Sequence, residues 1–519
     1  MKIEEGYILL AYGGASQGYR GVGPLLGFLT GRKIRNMFGN PIVPFFFLFL
    51  VLYVFSSGAH FYGPDDIIMY STTQAIAQRG SIDITSALPL IHAYGGGGFN
   101  EHYSKYGILP SLLAVPLFFT GVLARVEPWR IVALLYSPII TATTVCILYL
   151  TAKRLGESRY LSAILATLYG TATLAWFYSK TFTDLTTASL MLLAAIYFVL
   201  NPIKDLKSTI LCGVFTVLSV FASITQALAI PGLVAYVIMS RPEKSRPRLL
   251  ALFFIPILAG GLLYLYLNVI RFGSPLNFGY GEESFIGGPA YGTNALVGIY
   301  GLLFSSGEGI FIYYPLTALG IIGLSFKREY NNWTRFMFAW IFLSTLIFYS
   351  RFHEWYGGGA WGARYLLATM PYLTLGLGPL IKSARQSLTH ATAIIFATAI
   401  GVFSNLMGVC VNFLYIEAYL FDIGAYEGSN FPYPGIWIPQ FSQVSAGWDL
   451  LWSSTYPAKW FGDVGNSPMF FLQARLDLVL YNLFGLPILA LTVAILLAIS
   501  YWLIRALKQD HDCKDLRTV

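Results

Sequence analysis

The chain has 519 residues, of which 56% are apolar, 16% aromatic and only 11% charged. A soluble globular protein carries about 25% charged residues, so an ordinary soluble enzyme is excluded. The net charge of +8 sits mostly in short loops, which suits topology signals and anionic lipid headgroups rather than nucleic acid.

In chain order, residues 1–40 are Gly-rich and polar, and the basic cluster Arg32-Lys33-Arg35 precedes the first apolar run. That pattern predicts a cytoplasmic arm and an uncleaved first helix over Pro41–Gly58. The loop Ala59–Tyr106 is then external. The next apolar piece, Gly107–Leu123, is short and holds Pro110 and Pro116. If it crossed the bilayer, Lys153–Arg159 and each later basic loop would fall on the outer side. The positive-inside rule therefore keeps it as an interfacial or re-entrant helix of the external unit. Spans follow at Ile131–Ala152, Tyr160–Tyr178, Asp184–Leu200, a hairpin of Thr209–Ile224 with Ala227–Met239, and Leu249–Ile270. After an external segment Arg271–Glu308 come Gly309–Phe326, Phe336–Tyr349, Ala363–Ile381 and Ala391–Tyr419. A second external segment, Leu420–Arg475, leads to Leu476–Ile504. The expectation is an all-α polytopic membrane protein of about twelve transmembrane helices with external juxtamembrane helices. Its parts are an arm (1–40), a membrane module (41–382, including the external loop 59–128), C-terminal spans (383–507, with the external segment 420–475) and a tail (508–519). Long, chemically varied loops face outside, so chemistry is expected there.

Cys146, Cys212 and Cys410 fall in apolar spans and Cys513 in the tail, with no CxxC pair, so neither a disulfide framework nor a zinc site is expected. No P-loop or dinucleotide fingerprint occurs, and His353-Glu354 does not begin an HExxH. Gly14-Ala-Ser16-Gln-Gly18 matches a nucleophile elbow in letters only, with no strand before it.

Carboxylates at a membrane boundary are costly unless used or solvated. Asp65 and Asp66, Asp184 and Glu354 all fall on the outer face. One could deprotonate an acceptor hydroxyl or amine; Asp65, Asp66 and Asp184 could instead hold a divalent cation such as Mg or Mn. The competing reading of the pair is a helix N-cap at Asp65. Lys105 and Arg364 share that face, and a guanidinium fork suits a phosphate; the competing reading is an interfacial anchor. Lys180 is a weaker candidate of the same kind. His60, His102 and His353 are also external.

Tyr62-Gly-Pro-Asp65-Asp66-Ile-Ile-Met-Tyr70 with Gln78-Arg-Gly80-Ser-Ile-Asp83-Ile resembles the first external loop of GT-C glycosyltransferases. These are polyprenyl-phosphate-sugar-dependent membrane enzymes, including the protein O-mannosyltransferase and lipid A aminoarabinose transferase group. Ser104-Lys-Tyr-Gly-Ile-Leu-Pro110, Phe182-Thr-Asp184, Ser306-Gly-Glu-Gly-Ile-Phe-Ile-Tyr-Tyr-Pro315 and Trp355-Tyr-Gly-Gly-Gly-Ala-Trp-Gly-Ala-Arg364-Tyr365 resemble further motifs of the family. The likeness runs from Phe55 to Pro371. Asp-Asp stands where Asp-Glu is commoner, which leaves open which carboxylate acts, and the HPPLGK-like string of the O-mannosyltransferases is absent. The resemblance implies a GT-C bundle and a hexosyl- or pentosyltransferase working on the extracytoplasmic side of a bacterial or archaeal cell membrane. It implies a polyprenyl-phosphate sugar donor, a lipid, glycan or protein acceptor, and inversion at the anomeric carbon. Asp65 or Asp66 would take the acceptor proton, and Lys105 and Arg364 would hold the donor phosphate. Asp184, Glu354, Tyr62, Tyr106, His353 and Trp355 would contact sugar or acceptor, and the aromatic segment Tyr415–Trp460 would cover the site. The rivals are a lipid or polymer transporter or flippase, and a non-catalytic polymer-assembly partner.

Overall fold

The structure, a computed structural model, describes residues 40–93, 102–201, 206–279, 291–326, 329–425, 434–452 and 476–515. The N-terminal arm, the Gly95–Gly98 tract and parts of both long external segments lie outside these residues, with the expectations placed on them. Among the described residues the chain is helical, and β pairing is limited to isolated bridges, Asp83 with Tyr103 and Val411 with Leu476.

The first expected span is α1 (Ile42–Phe55), and the loop expected to be external forms α2 (Pro64–Arg79), α3 (Leu88–Ala93) and α4 (Ile108–Ala124). Then come α5 (Pro128–Arg154), α6 (Arg159–Ala172), α7 (Leu174–Tyr178), α8 (Asp184–Val199), α9 (Leu206–Ala222), α10 (Ile230–Met239) and α11 (Arg246–Phe272). Past them lie α12 (Ala295–Phe304), α13 (Ile310–Tyr313), α14 (Leu316–Leu324), α15 (Asn332–Ser350), α16 (Met370–Ala384) and α17 (Leu388–Cys410). The chain closes with α18 (Phe413–Asp422), α19 (Pro434–Trp437), α20 (Gln443–Trp452), α21 (Val479–Phe484) and α22 (Leu486–Asp515).

Every expected span contains a helix, but 160–178 is interrupted at Thr173, 309–326 at Tyr314-Pro315 and 476–504 at Gly485, and there are two larger differences. The run 391–419 breaks between Cys410 and Phe413, so the outer segment begins earlier than the apolar composition suggests. The expected hairpin 209–239 is splayed: α9 packs chiefly on α8 and α11, whereas α10 packs chiefly on α15.

Pro128–Arg154, Glu243–Phe272, Leu388–Cys410 and Leu486–Lys508 are long and apolar enough to cross a bilayer by length and composition. Pro128–Arg154 is mostly buried inside the bundle, but the other three present bare hydrocarbon: Leu258, Leu262, Ile395, Phe396 and Leu497 are each more than 60% exposed. Such a surface needs lipid as its solvent, and the chain is an integral membrane protein. At one end of the bundle some of the basic loop residues act inside the fold. Arg154 donates to the Tyr197 carbonyl, and Arg241 Nη2 donates to the carbonyls of Val199 and Asn201 at 2.7 Å. Both satisfy carbonyls at the end of α8, where a helix dipole also favours positive charge.

At the other end α2 and α4 pack on each other and α4 returns along α5. Phe61, Ile67, Met69, Tyr70, Phe118 and Trp129 form a buried cluster of their own between these helices. α4 has 17 residues, about 25 Å of helix, less than the ~30 Å hydrocarbon thickness. Its outward side carries Leu112, Leu113, Phe119, Val122 and Leu123, all exposed. Among the described residues of this loop, α2 and α4 thus pack as one unit.

Candidate active site

The N-cap of α2 is Gly63, followed by Pro64 at the first helical position. Asp65 and Asp66 therefore lie in the first turn, with Asp65 two positions inside the N-cap that the capping reading assigned to it. Asp66 is buried, and its Oδ2 accepts from the Tyr62 backbone N–H at 2.9 Å. The side chain thereby reaches back past the Gly63 N-cap and ties the residue before it to the first turn. Burial pushes the Asp66 carboxyl up to about 8, the Tyr62 amide opposes this, and the neighbouring Asp65 charge adds to the rise.

Asp65 has the opposite setting. Its side chain is about a third exposed, and Oδ2 lies 3.2 Å from Arg364 Nη1. Burial pushes its carboxyl up, but Arg364, Lys105 and a hydrogen bond with Tyr106 outweigh this and hold it below the usual carboxylate range. Adjacent carboxyls driven apart in this way are suited to different tasks.

Arg364 is placed by the turn Trp355–Ala363. Gly357 and Gly358 sit at φ +91 and +65, a region costly for any side chain, and a Cβ on Gly357 would lie 3.1 Å from Arg364 Cγ. Behind Arg364, the rings of Tyr349 and Tyr365 stack at 4.1 Å. The strand of chain holding Lys105 is fixed by Arg271 at the end of α11, which donates to the carbonyls of Ser104 and Tyr106 at 3.4 and 3.3 Å. Gly107 lies against the backbone at the end of α9, where a Cβ would come within 2.2 Å of the Phe221 and Ala222 carbonyl oxygens. Asp184 opens α8, hydrogen-bonds the Ser223 hydroxyl and lies within electrostatic reach of Arg364 and Asp65.

The fold thus gathers Asp65, Asp66, Lys105, Tyr106, Asp184 and Arg364. Glu354 and His353 stay at the rim: both side chains are nearly half exposed, and they face each other at 3.8 Å. Trp355 is fully buried against Gly301 and Trp437, so its ring packs the core instead of facing a ligand. Tyr62 and Lys180 are also withdrawn from ligand contact, because both converge on Asp477. The Asp477 carboxylate meets Lys180 Nζ at 2.6 Å, the Tyr62 hydroxyl at 2.6 Å and His60 Nε2 at 2.8 Å. Lys180 also donates to the Gly408 carbonyl at 2.8 Å. A phosphate role for Lys180 is thereby replaced by an internal ion pair.

Sequence reasoning missed Asp477, Glu308, Glu417 and Gln443. Only Glu308 lay in a motif that had been singled out. The others carry no local signal, since each acts on residues far away in the chain.

A divalent ion does not suit the acidic residues as arranged. Asp65 is engaged by Arg364, and Asp66 caps a helix with its proton held to about pH 8. Among the described residues no group of three His, Cys, Asp or Glu side chains could hold a metal ion.

No family model and no curated protein matches the chain. Among solved structures it is similar to ArnT from Cupriavidus metallidurans bound to undecaprenyl phosphate, with a TM-score of 0.46 and 13% identity over 80% of this chain and 75% of that one. The apo state of ArnT gives a TM-score of 0.46 and 14% identity, over 76% and 72%. The oligosaccharyltransferase of Archaeoglobus fulgidus in the apo form gives 0.49 and 10%, over 76% of this chain and 58% of that one.

Proposed function

We propose that the protein is a GT-C-type membrane glycosyltransferase. It moves a sugar from a polyprenyl-phosphate donor to a lipid, glycan or protein acceptor on the extracytoplasmic side. The observation that carries this reading is the Asp65–Arg364 ion pair beside Lys105 and Tyr106. It puts an ionised, partly exposed carboxylate next to a guanidinium and an ammonium, the groups a phosphate leaving group needs. The motif resemblance supplies the sugar chemistry.

Asp65 is the proton acceptor and Asp66 fixes the loop. A donor phosphate entering between Lys105 and Arg364 takes over part of the Arg364 fork. Asp65 then loses counter-charge, its pKa rises, and it becomes a better base. The acceptor proton passes to Asp65 while the acceptor heteroatom attacks the anomeric carbon from the face opposite the phosphate. The anomeric carbon–oxygen bond breaks, and its electron pair leaves with the polyprenyl phosphate, held by Lys105 and Arg364. Attack from the opposite face inverts the anomeric centre.

The test is release of free polyprenyl phosphate from a panel of polyprenyl-phosphate sugars by the purified protein with membrane extracts as acceptor. Wild type turns over at least one donor, Asp65→Asn lowers kcat by about 10²–10⁴-fold, and Asp66→Asn keeps most of the activity. Full activity in Asp65→Asn would remove the base assignment.

A further inference from the structure

A second acidic cluster lies within electrostatic reach of Arg364, on residues that the transfer step does not use. Glu308 sits just before α13 and is 4% exposed. Its Oε1 accepts from Gln443 Nε2 at 3.3 Å, while its Oε2, also buried, has no hydrogen-bond partner. Gln443, at the start of α20, holds the glycine turn. Its Nε2 also donates to the Ala360 carbonyl, and its Oε1 accepts from the Gly362 N–H at 3.1 Å. The same turn borders Glu417 of α18. Gly359 is exposed, and a Cβ there would come within 3.5 Å of Oε2 of the partly exposed Glu417, so glycine keeps the turn from crowding that carboxylate.

A buried carboxyl with an empty oxygen is expensive unless something completes it. Among the described residues no cation forms an ion pair with Glu308. Arg364, the guanidinium within reach, is committed to Asp65. Burial, with Glu417 adding to it, pushes the Glu308 carboxyl well above its usual range. A neutral carboxyl both donates and accepts, which matches hydroxyl groups better than ions. A donor phosphate on Arg364 would place the attached ring one bond away, next to this pocket.

We propose that Glu308 and Glu417, with Gln443 as the positioning residue, bind the hydroxyl groups of the donor's sugar ring. This rests on the glycosyltransferase reading, and the experiment separates the two. Binding of undecaprenyl phosphate, bare or carrying glucose, mannose, galactose or arabinose, is measured in nanodiscs by tryptophan fluorescence. Wild type binds at least one sugar-bearing lipid about 10-fold more tightly than the bare lipid, the worth of one strong hydrogen bond. Glu308→Leu and Glu417→Ala each remove that preference and leave the affinity for bare lipid unchanged. Glu417 is partly exposed on a helix, where alanine is well tolerated, so at least one variant remains folded. Asp65→Asn keeps the preference while losing transfer. No sugar preference in wild type, a preference that survives both substitutions, or an equal loss for bare lipid would each overturn the pocket. A sugar preference without transfer by wild type would uphold the pocket and remove the transferase reading.

Discussion

Two neighbouring aspartates with the same side chain are made different by what lies beside them. Asp65 faces a guanidinium and is partly exposed, whereas Asp66 is buried and faces a backbone amide at the helix start. The sequence alone could not choose between them, because the choice depends on Gly63 taking the N-cap position and on Arg364 arriving from 299 residues away. The difference has a consequence for stability. The folded-state pKa of Asp66 is about 8 against an ordinary 3.8, so the folded chain keeps a proton that the unfolded chain releases from about pH 4 upward. Stability linked to this group is therefore full below about pH 4 and is lost as pH rises towards 8. Asp66→Asn mimics the protonated acid and still accepts from the Tyr62 amide. Its melting temperature should match wild type near pH 4 and exceed it increasingly up to pH 8. A constant difference across that range would mean that Asp66 is ionised in the folded protein.

At the scale of elements, apolar runs and charged loops located each span, because a bilayer imposes length and side on a helix regardless of its partners. What the runs could not show is which helix touches which. α14 and α16 are an example: a Cβ on Gly320 would lie 2.0 Å from the Leu373 carbonyl oxygen, and one on Gly323 would lie 1.9 Å from that of Gly376. The two backbones are in contact through these glycines, as small residues permit in membrane helices. The steric obstacle is backbone, so it cannot rotate away. Gly323→Ala should destabilise by about 1–3 kcal/mol, read as a lower melting temperature in detergent. Gly261→Ala is the control: it sits in α11 with nothing within 4 Å of its Cβ position, and there alanine should be neutral or gain up to ~1 kcal/mol through helix propensity. Equal behaviour of the two variants would mean that the α14–α16 contact is not tight.

For the whole molecule, topology and the placement of the outer loop are separate questions. Topology is open to labelling: a cysteine at exposed Gln78 should react with an impermeant maleimide added to intact cells, and one at exposed Arg385 only after lysis. Reaction at Arg385 in intact cells would reverse the orientation. The placement of the loop that carries Asp65 depends on Asp477, which no local pattern marks, since it pairs with His60 across 417 residues and with Lys180 across 297. Gly58 leaves the room for it: a Cβ there would lie 2.0 Å from Asp477 Oδ1. Backbone bonds from Asp477 N to the Cys410 carbonyl and from Val479 N to the Ser57 carbonyl, 2.9 and 3.1 Å, pin the same segment between the end of α17 and the end of α1. The C-terminal part of the chain thereby holds the residues that lead into Asp65. Asp477→Ala leaves the Lys180 ammonium buried without its counter-ion, which costs about 3–5 kcal/mol. Loss of transfer in that variant alone would not separate unfolding from misplacement. The double variant Asp477→Leu with Lys180→Met removes both charges and should recover the melting temperature, since apolar replacement of a buried pair is often neutral. Its transfer should stay well below wild type, because His60 and Tyr62 have lost their anchor and the start of α2 is free to shift. Recovery of both stability and transfer would mean that the knot serves only to neutralise its own charges.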